Sequence, residues 1–192
     1  MSANSSNTNK NIAVLVGSAD PDSLNLRVAK AMQLAAPEGL SLFVVPIAHL
    51  PFYQPAFDQN PPEMAGELRG AVTVADGVIM ISPEYNRSFT AVLKNAIDWL
   101  SRPPRQGALV GKPVMIAGAT PGNVGTAVAQ SHLRSVLPMM GVRLMGTPEL
   151  YLKLSKADFD RNGVVTTPGT QEFLTSALEQ FATFIDQVGA GN

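Results

Sequence analysis

Cysteine is missing from all 192 residues, so no disulfide, thiolate metal site or cysteine nucleophile enters any account of this chain. Histidine is scarce, and neither His49 nor His132 has a second histidine or a carboxylate pair at metal-ligand spacing, which reads both as structural or surface residues. Charge of either sign is also in short supply. The net charge is −1, and the 14 Lys and Arg are scattered without a run. That speaks against a nucleic-acid or anionic-membrane surface, and against an electron donor that docks through a strongly acidic face. No apolar run approaches the ~18–20 residues of a membrane-spanning helix. The opening MSANSSNTNKN is polar and lacks a signal-peptide core. Residues 1–10 are therefore expected to form a disordered leader, and residues 11–192 a single domain of a cytoplasmic protein.

What is present is an alternation of short apolar runs and amphipathic stretches. Strands are expected over residues 12–16, 42–45, 77–82, 113–118 and 142–145, and helices over 23–36, 63–74, 89–101, 124–137 and 171–188. The helix over 89–101 has the clearest stripe, with Phe89, Val92, Leu93, Ala96, Ile97 and Leu100 on one face. Ser88 stands at its N-cap position, and Pro103 with Pro104 stops it. Trp99, off the stripe, reads as packed core or subunit interface. In the last helix Leu174, Leu178, Phe181, Ile185 and Val188 share a face, with Thr167 or Thr170 as cap. Strands that are apolar throughout belong to a parallel sheet covered on both faces. Five of them alternating with five helices give an α/β three-layer sandwich, for which two doubly wound strand orders compete; the flavodoxin-like five-stranded parallel sheet in the order 2-1-3-4-5 is preferred, because five strands suffice for it and the loops after strands 1, 3 and 4 are the ones rich in polar and glycine residues.

In such a sheet ligands bind beyond the carboxyl ends of the strands. The loop after the first strand, Gly17 to Asn25, runs into a helix N-terminus and offers Ser18, Ser23 and Asn25, a setting for a phosphate monoester or for ordinary helix capping. The loop after the third strand, PEYNRS at Pro83 to Ser88, gathers a carboxylate, a phenol, an amide and an arginine. The loop after the fourth strand, Ala119 to Thr126, carries two glycines that admit a flat ligand, and reads equally as a plain turn. Dinucleotide binding of the Rossmann type is disfavoured, since G-x-G-x-x-G is absent and Val45-Pro46-Ile47 stands where an acidic ribose ligand belongs. A receiver domain would need an aspartate where Ser82-Pro83 stands.

The strand-1 loop, PEYNRS, LKNAIDWLSRP, GKPV and the T-P-G-x-x-G loop together resemble the NAD(P)H-dependent FMN reductase family, which includes bacterial quinone, chromate, azo-dye and ferric reductases. The likeness runs from about Ile12 to Glu149. It implies one FMN per subunit at a dimer interface, dimers often paired into tetramers, NADPH or NADH as co-substrate, and a small-molecule electron acceptor such as a quinone, flavin, azo dye or metal oxyanion. It places the phosphate loop on Ser18, Ser23, Leu24 and Asn25. Pro83, Glu84, Tyr85 and Asn86, continuing into Arg87 and Ser88, match the segment along the flavin ring, and Thr120 with Pro121 and Gly122 the other edge. The flavin carries the chemistry, so no side chain is nominated as acid or base. Arg87 and Arg102 are candidates for the phosphates of the nicotinamide dinucleotide, and Tyr53 in the loop His49 to Pro62 for lining a partner's pocket. The Met139-Met140 pair reads as core or interface. One departure stands out: Asp20 occupies the place of the family's usual arginine, so either it turns away from the phosphate or FMN is held weakly. A flavodoxin-type electron carrier and a flavin-free binding homologue are the alternatives.

Overall fold

Residues 12–16 carry no polar side chain, and in the computed structural model, which describes residues 9–191, they run through the middle of a parallel sheet. The strands are β1 (Lys10–Val16), β2 (Leu40–Val45), β3 (Gly77–Ile81), β4 (Pro113–Thr120), β5 (Arg143–Leu144) and β6 (Leu150–Lys153). Their order is β2-β1-β3-β4-β5, with β6 also on β4, and every pairing is parallel. The helices are α1 (Leu24–Ala35), α2 (Glu63–Val74), α3 (Ala91–Leu100), α4 (Ala127–Val136) and α5 (Thr170–Ala190).

Alternate residues of β1 feed two separate cores. Ile12, Val14 and Val16 pack with α1 and α5, while Ala13 and Leu15 pack with α2, α3 and Leu133 of α4. Each fully buried Leu, Ile or Val contributes roughly 1.5–3 kcal/mol relative to exposure, so strands apolar on both faces are what two helical layers demand. The stripe of α3 is buried at Leu93, Ala96, Ile97 and Leu100, and Trp99 is buried too, its indole N–H donating to Pro51 O at 2.8 Å. Trp99 is core in this chain.

Three expectations need correction. Thr90 rather than Ser88 caps α3, its Oγ1 accepting from Leu93 N at 3.3 Å, so the helix begins two residues later than its apolar stripe suggests. Gly169, in the left-handed region, is the N-cap of α5, and neither Thr167 nor Thr170 supplies a side-chain cap. The fifth strand is split: β5 holds two residues beside Pro113 and Val114, and β6 takes over the same edge beside Ala117 to Thr120. β6 was not read from sequence, although Leu150, Leu152 and Leu154 alternate inward. The expected leader falls mainly on residues 1–8, outside those described. Its last residues are placed: Asn9 donates to Ser41 Oγ and Lys10 opens β1, paired with Asp186 at 3.0 Å.

Candidate active site

The carboxyl ends of β1, β3 and β4 bring the three polar loops to one edge of the sheet. Gly17, the first residue past β1, lies so close to the start of α3 that a Cβ there would sit 2.7 Å from Thr90 Oγ1 and 3.0 Å from Leu93 Cβ. The loop after β1 is thus pressed against the end of β3 and the cap of α3. Ser18 and Ser23 are both buried. Each accepts one backbone N–H within the loop, from Asp20 and Asn25 respectively. Their hydroxyl hydrogens, and the N–H groups of Ala19 and Leu24, have no acceptor among the described residues. Two hydroxyls and two amides at a helix N-terminus form a donor set suited to a phosphate monoester.

Asn25, expected beside them as a phosphate ligand, is engaged elsewhere. Its Nδ2 donates to Ala119 O at 3.0 Å and its Oδ1 accepts from Ala119 N at 2.9 Å, which fastens α1 to the end of β4. Both polar ends of its amide are committed. Asp20 folds back on its own loop, Oδ1 accepting from Asp22 N at 2.9 Å. Asp22 lies between two cations, with Arg27 Nη2 and Lys156 Nζ each 2.7 Å from one of its oxygens. The hydrogen bonds from Lys156 and Arg27 hold its pKa down at about 2.

In the loop after β3, Tyr85 and Ser88 exchange both backbone hydrogen bonds at 3.0 Å around Asn86 and Arg87, whose φ values are +50° and +64°. This two-residue turn with both central residues left-handed is the type I′ geometry that favours Asn followed by Gly. Arg87 takes the second place in spite of its Cβ, at a cost of about 1–2 kcal/mol. Tyr85 stands out from the turn and is exposed, as are Asn86 and Arg87. Ser88 Oγ meets His132 Nδ1 at 3.1 Å, which gives the exposed His132 a structural partner.

Glu84 links this loop to the next. Its Oε2 accepts from Val128 N and Ala129 N, each at 3.1 Å, and its Oε1 lies 3.3 Å from Arg87 Nη1. The carboxylate caps α4 where Thr126 makes no side-chain cap. The N-terminal field of α4 is therefore largely answered by Glu84. The loop after β4 turns at Gly125, φ +59°, where a Cβ would meet the Tyr151 backbone at 2.9 Å. Thr120, half-buried, receives Gly122 N–H at 3.4 Å, and Pro121 and Gly122 are exposed.

Other candidates lie apart from this rim. Tyr53 packs within its own chain, edge-on to Trp99 at 5.3 Å, with the Arg102 guanidinium 4.6 Å from its ring centroid and its hydroxyl donating to Asp58 at 3.0 Å. Arg102, just past the far end of α3, is about 15 Å along the helix axis from the PEYN end. Met139 is exposed and Met140 packs on the α3 core. Residues missed by the sequence reading are Asn95, whose Oδ1 accepts from Tyr53 N at 2.9 Å, and the cations Arg27 and Lys156.

Residues 10–156 match the model of a protein family described as NADPH-dependent FMN reductase. The chain is 41% identical over 174 residues to a 2-hydroxy-1,4-benzoquinone reductase of a Burkholderia species, covering 91% of this chain and 95% of that protein. It is 37% identical over 181 residues to a quinone reductase of Escherichia coli strain K12, covering 92% and 96%. Its fold superposes, with a TM-score of 0.87 and 36% identity, on FerB, a flavoenzyme NAD(P)H:(acceptor) oxidoreductase from Paracoccus denitrificans, covering 93% of this chain and 98% of FerB.

Proposed function

The chain belongs to the NADPH-dependent FMN reductase family, and from that premise we propose that it is a quinone reductase, delivering the reducing equivalents of NAD(P)H to a quinone. It is an FMN-dependent oxidoreductase, which sets aside the electron-carrier and flavin-free alternatives. The observation that carries the site assignment is the cluster of uncommitted donors on Ser18, Ala19, Ser23 and Leu24 at the start of α1.

FMN, when bound, would supply the redox chemistry, hydride transfer between a nicotinamide and the acceptor. The protein's part is to hold and orient. Ser18, Ser23 and the N–H groups of Ala19 and Leu24 would hold the phosphate. Pro83 to Ser88 and Thr120 to Gly122 would border the ring on two sides, chiefly through backbone. Exposure of Tyr85, Pro121 and Gly122 leaves the rim open from the surface, so a nicotinamide and a planar quinone can take turns at one site. No side-chain acid or base is assigned, because quinone reduction by hydride needs one further proton, which solvent can supply at an open rim. Arg87, with its side chain 72% exposed, remains the candidate for the dinucleotide's phosphates.

A second copy of the chain is proposed to complete the rim. Phe52, in the loop after β2, is 79% exposed, a large apolar side chain that a partner would cover. Among the described residues no helix is long and apolar enough to cross a membrane, and a cytoplasmic setting, where NAD(P)H is available, fits the proposed reaction.

The test is to load the purified protein with FMN and follow NAD(P)H with and without 1,4-benzoquinone. The expected result is quinone-dependent oxidation with one hydroquinone formed per NAD(P)H. NAD(P)H oxidation that does not respond to the quinone would overturn the assignment of acceptor, and no FMN binding at all would overturn the site.

A further inference from the structure

We propose that the cations for the flavin phosphate come from outside the loop after β1, from Arg27 on α1 and Lys156 in the segment after β6. This rests on the FMN reading above and deepens it. The loop itself, Gly17 to Asn25, contains two aspartates and no lysine or arginine. A phosphate monoester near −2 placed there meets net negative charge unless something else supplies the balance. The structure shows what does. Asp20 is turned into the loop by its bond to Asp22 N, and Asp22 carries two cations against its single charge, each at 2.7 Å. The two cations thus balance the two aspartates, so a phosphate at Ser23 no longer meets a net negative loop. Beyond them a cleft of about 270 Å³ opens between α1 and the segment after β6, and Ser23, Arg27, Lys30 and Arg161 all line it, with Asp22 and Asp160 as counter-charges.

Two further features support the assignment. The Arg27 guanidinium is held in place, with Nη2 on Asp22 at 2.7 Å and Nε packed away from solvent. Lys156 is delivered by a segment that is built to stay put. Asp158 Oδ2 accepts from both N and Oγ of Ser155 at 2.7 Å, Asp158 Oδ1 accepts from Thr167 Oγ1 at 3.1 Å, and Asp160 Oδ1 accepts from the N–H groups of Asn162 and Val164 at 2.9 Å. An arginine within the loop is therefore unnecessary. Its charge is replaced from two other places in the chain.

The test compares FMN with riboflavin, which lacks the phosphate, by fluorescence titration of the flavin-free protein at low salt. Arg27→Gln and Lys156→Gln are each expected to weaken FMN about tenfold while changing riboflavin by less than about twofold, with Lys156→Arg restoring most of the loss. The salt dependence of FMN binding should flatten in both variants. Unchanged FMN affinity in both variants would overturn the inference, and so would an equal weakening of FMN and riboflavin, which marks a structural effect. If the unmodified protein binds FMN no more tightly than riboflavin, the inference falls while the flavin reading stands. If it binds neither, the flavin reading itself has failed.

Discussion

Replacing Glu84 tests whether one carboxylate fastens two walls of the rim together. In the structure its Oε2 receives two backbone N–H groups of α4 at 3.1 Å, and the side chain is only 9% exposed. Glu84→Gln keeps an acceptor of the same size but removes the charge from a helix N-terminus. Hydrogen bonds to a charged group contribute about 1.5–3 kcal/mol and neutral ones about 0.5–1.5, so the expected loss is about 1–2 kcal/mol. Glu84→Ala removes both bonds and leaves two donors without a partner at a largely buried site, for an expected loss of about 3 kcal/mol. Urea unfolding of the flavin-free protein measures both, and for a chain of this length each kcal/mol lowers Tm by about 2–4 °C. Amide hydrogen exchange at Val128 and Ala129 should accelerate in parallel. A Glu84→Ala protein with the stability of the parent and unchanged protection at those two amides would refute the reasoning.

The remaining expectations follow from single contacts. Gly17→Ala should lose about 1–3 kcal/mol in urea unfolding, because its Cβ would sit 2.7 Å from Thr90 Oγ1 and displace the cap of α3; full stability would show that the loop can shift freely. Arg87→Gly should gain on the order of 0.5 kcal/mol, since glycine accepts φ +64° without strain and the pair with Glu84 involves a mostly exposed arginine; a net loss would mean that the ion pair outweighs the strain. Asp22 and Asp158 titrate lower when folded than when unfolded, so the unfolded chain takes up their protons first. For Asp22 the stabilisation is complete above the ordinary value of 3.8 and is lost as pH falls toward about 2, and for Asp158 it is likewise lost as pH falls below 3.8. Asp158→Asn should show a smaller fall in urea midpoint on acidification below 3.8 than the parent, and an identical fall would remove Asp158 from the account.

The layers were legible in the sequence because burial on both faces of a strand, or one face of a helix, leaves a periodic trace. Ile12 to Val16 and the stripe of α3 are such traces, whereas the strand order rested on the number of strands and on the polar, glycine-rich loops after the first, third and fourth. Local signals were less sharp. Ser88 and Thr90 are both hydroxyl residues near the start of α3, and only the backbone geometry at Thr90 decides between them. β6 went unread because Gly146, Thr147 and Pro148 look like the end of a strand, while the inward alternation of Leu150, Leu152 and Leu154 was the signal that marked its resumption. In the site, the loops were legible and the partners of their side chains were not. Glu84 meets α4 44 residues later, Asn25 meets Ala119 94 residues later, and Lys156 meets Asp22 across 134. No spacing rule spans such distances, since they exist only once the sheet has brought the strand ends together.

The divided fifth strand also bears on how the molecule behaves in a crowd. A sheet edge with a long row of free N–H and C=O groups invites another chain to add a strand, and proteins resist this by shortening, interrupting or charging their edges. On the β4 side the outermost position is filled by two residues and then four, separated by Gly146 and Pro148 and bearing the exposed charges of Arg143 and Lys153. Such a broken border offers no continuous template for fibril-like growth. The opposite border, β2, is an unbroken run of six residues with Val44 partly exposed, and among the described residues Gln33 Nε2 is the side chain that occupies one of its carbonyls, that of Leu42, at 3.0 Å. Protection against open-ended association is therefore lopsided in this fold, with β2 as its vulnerable flank.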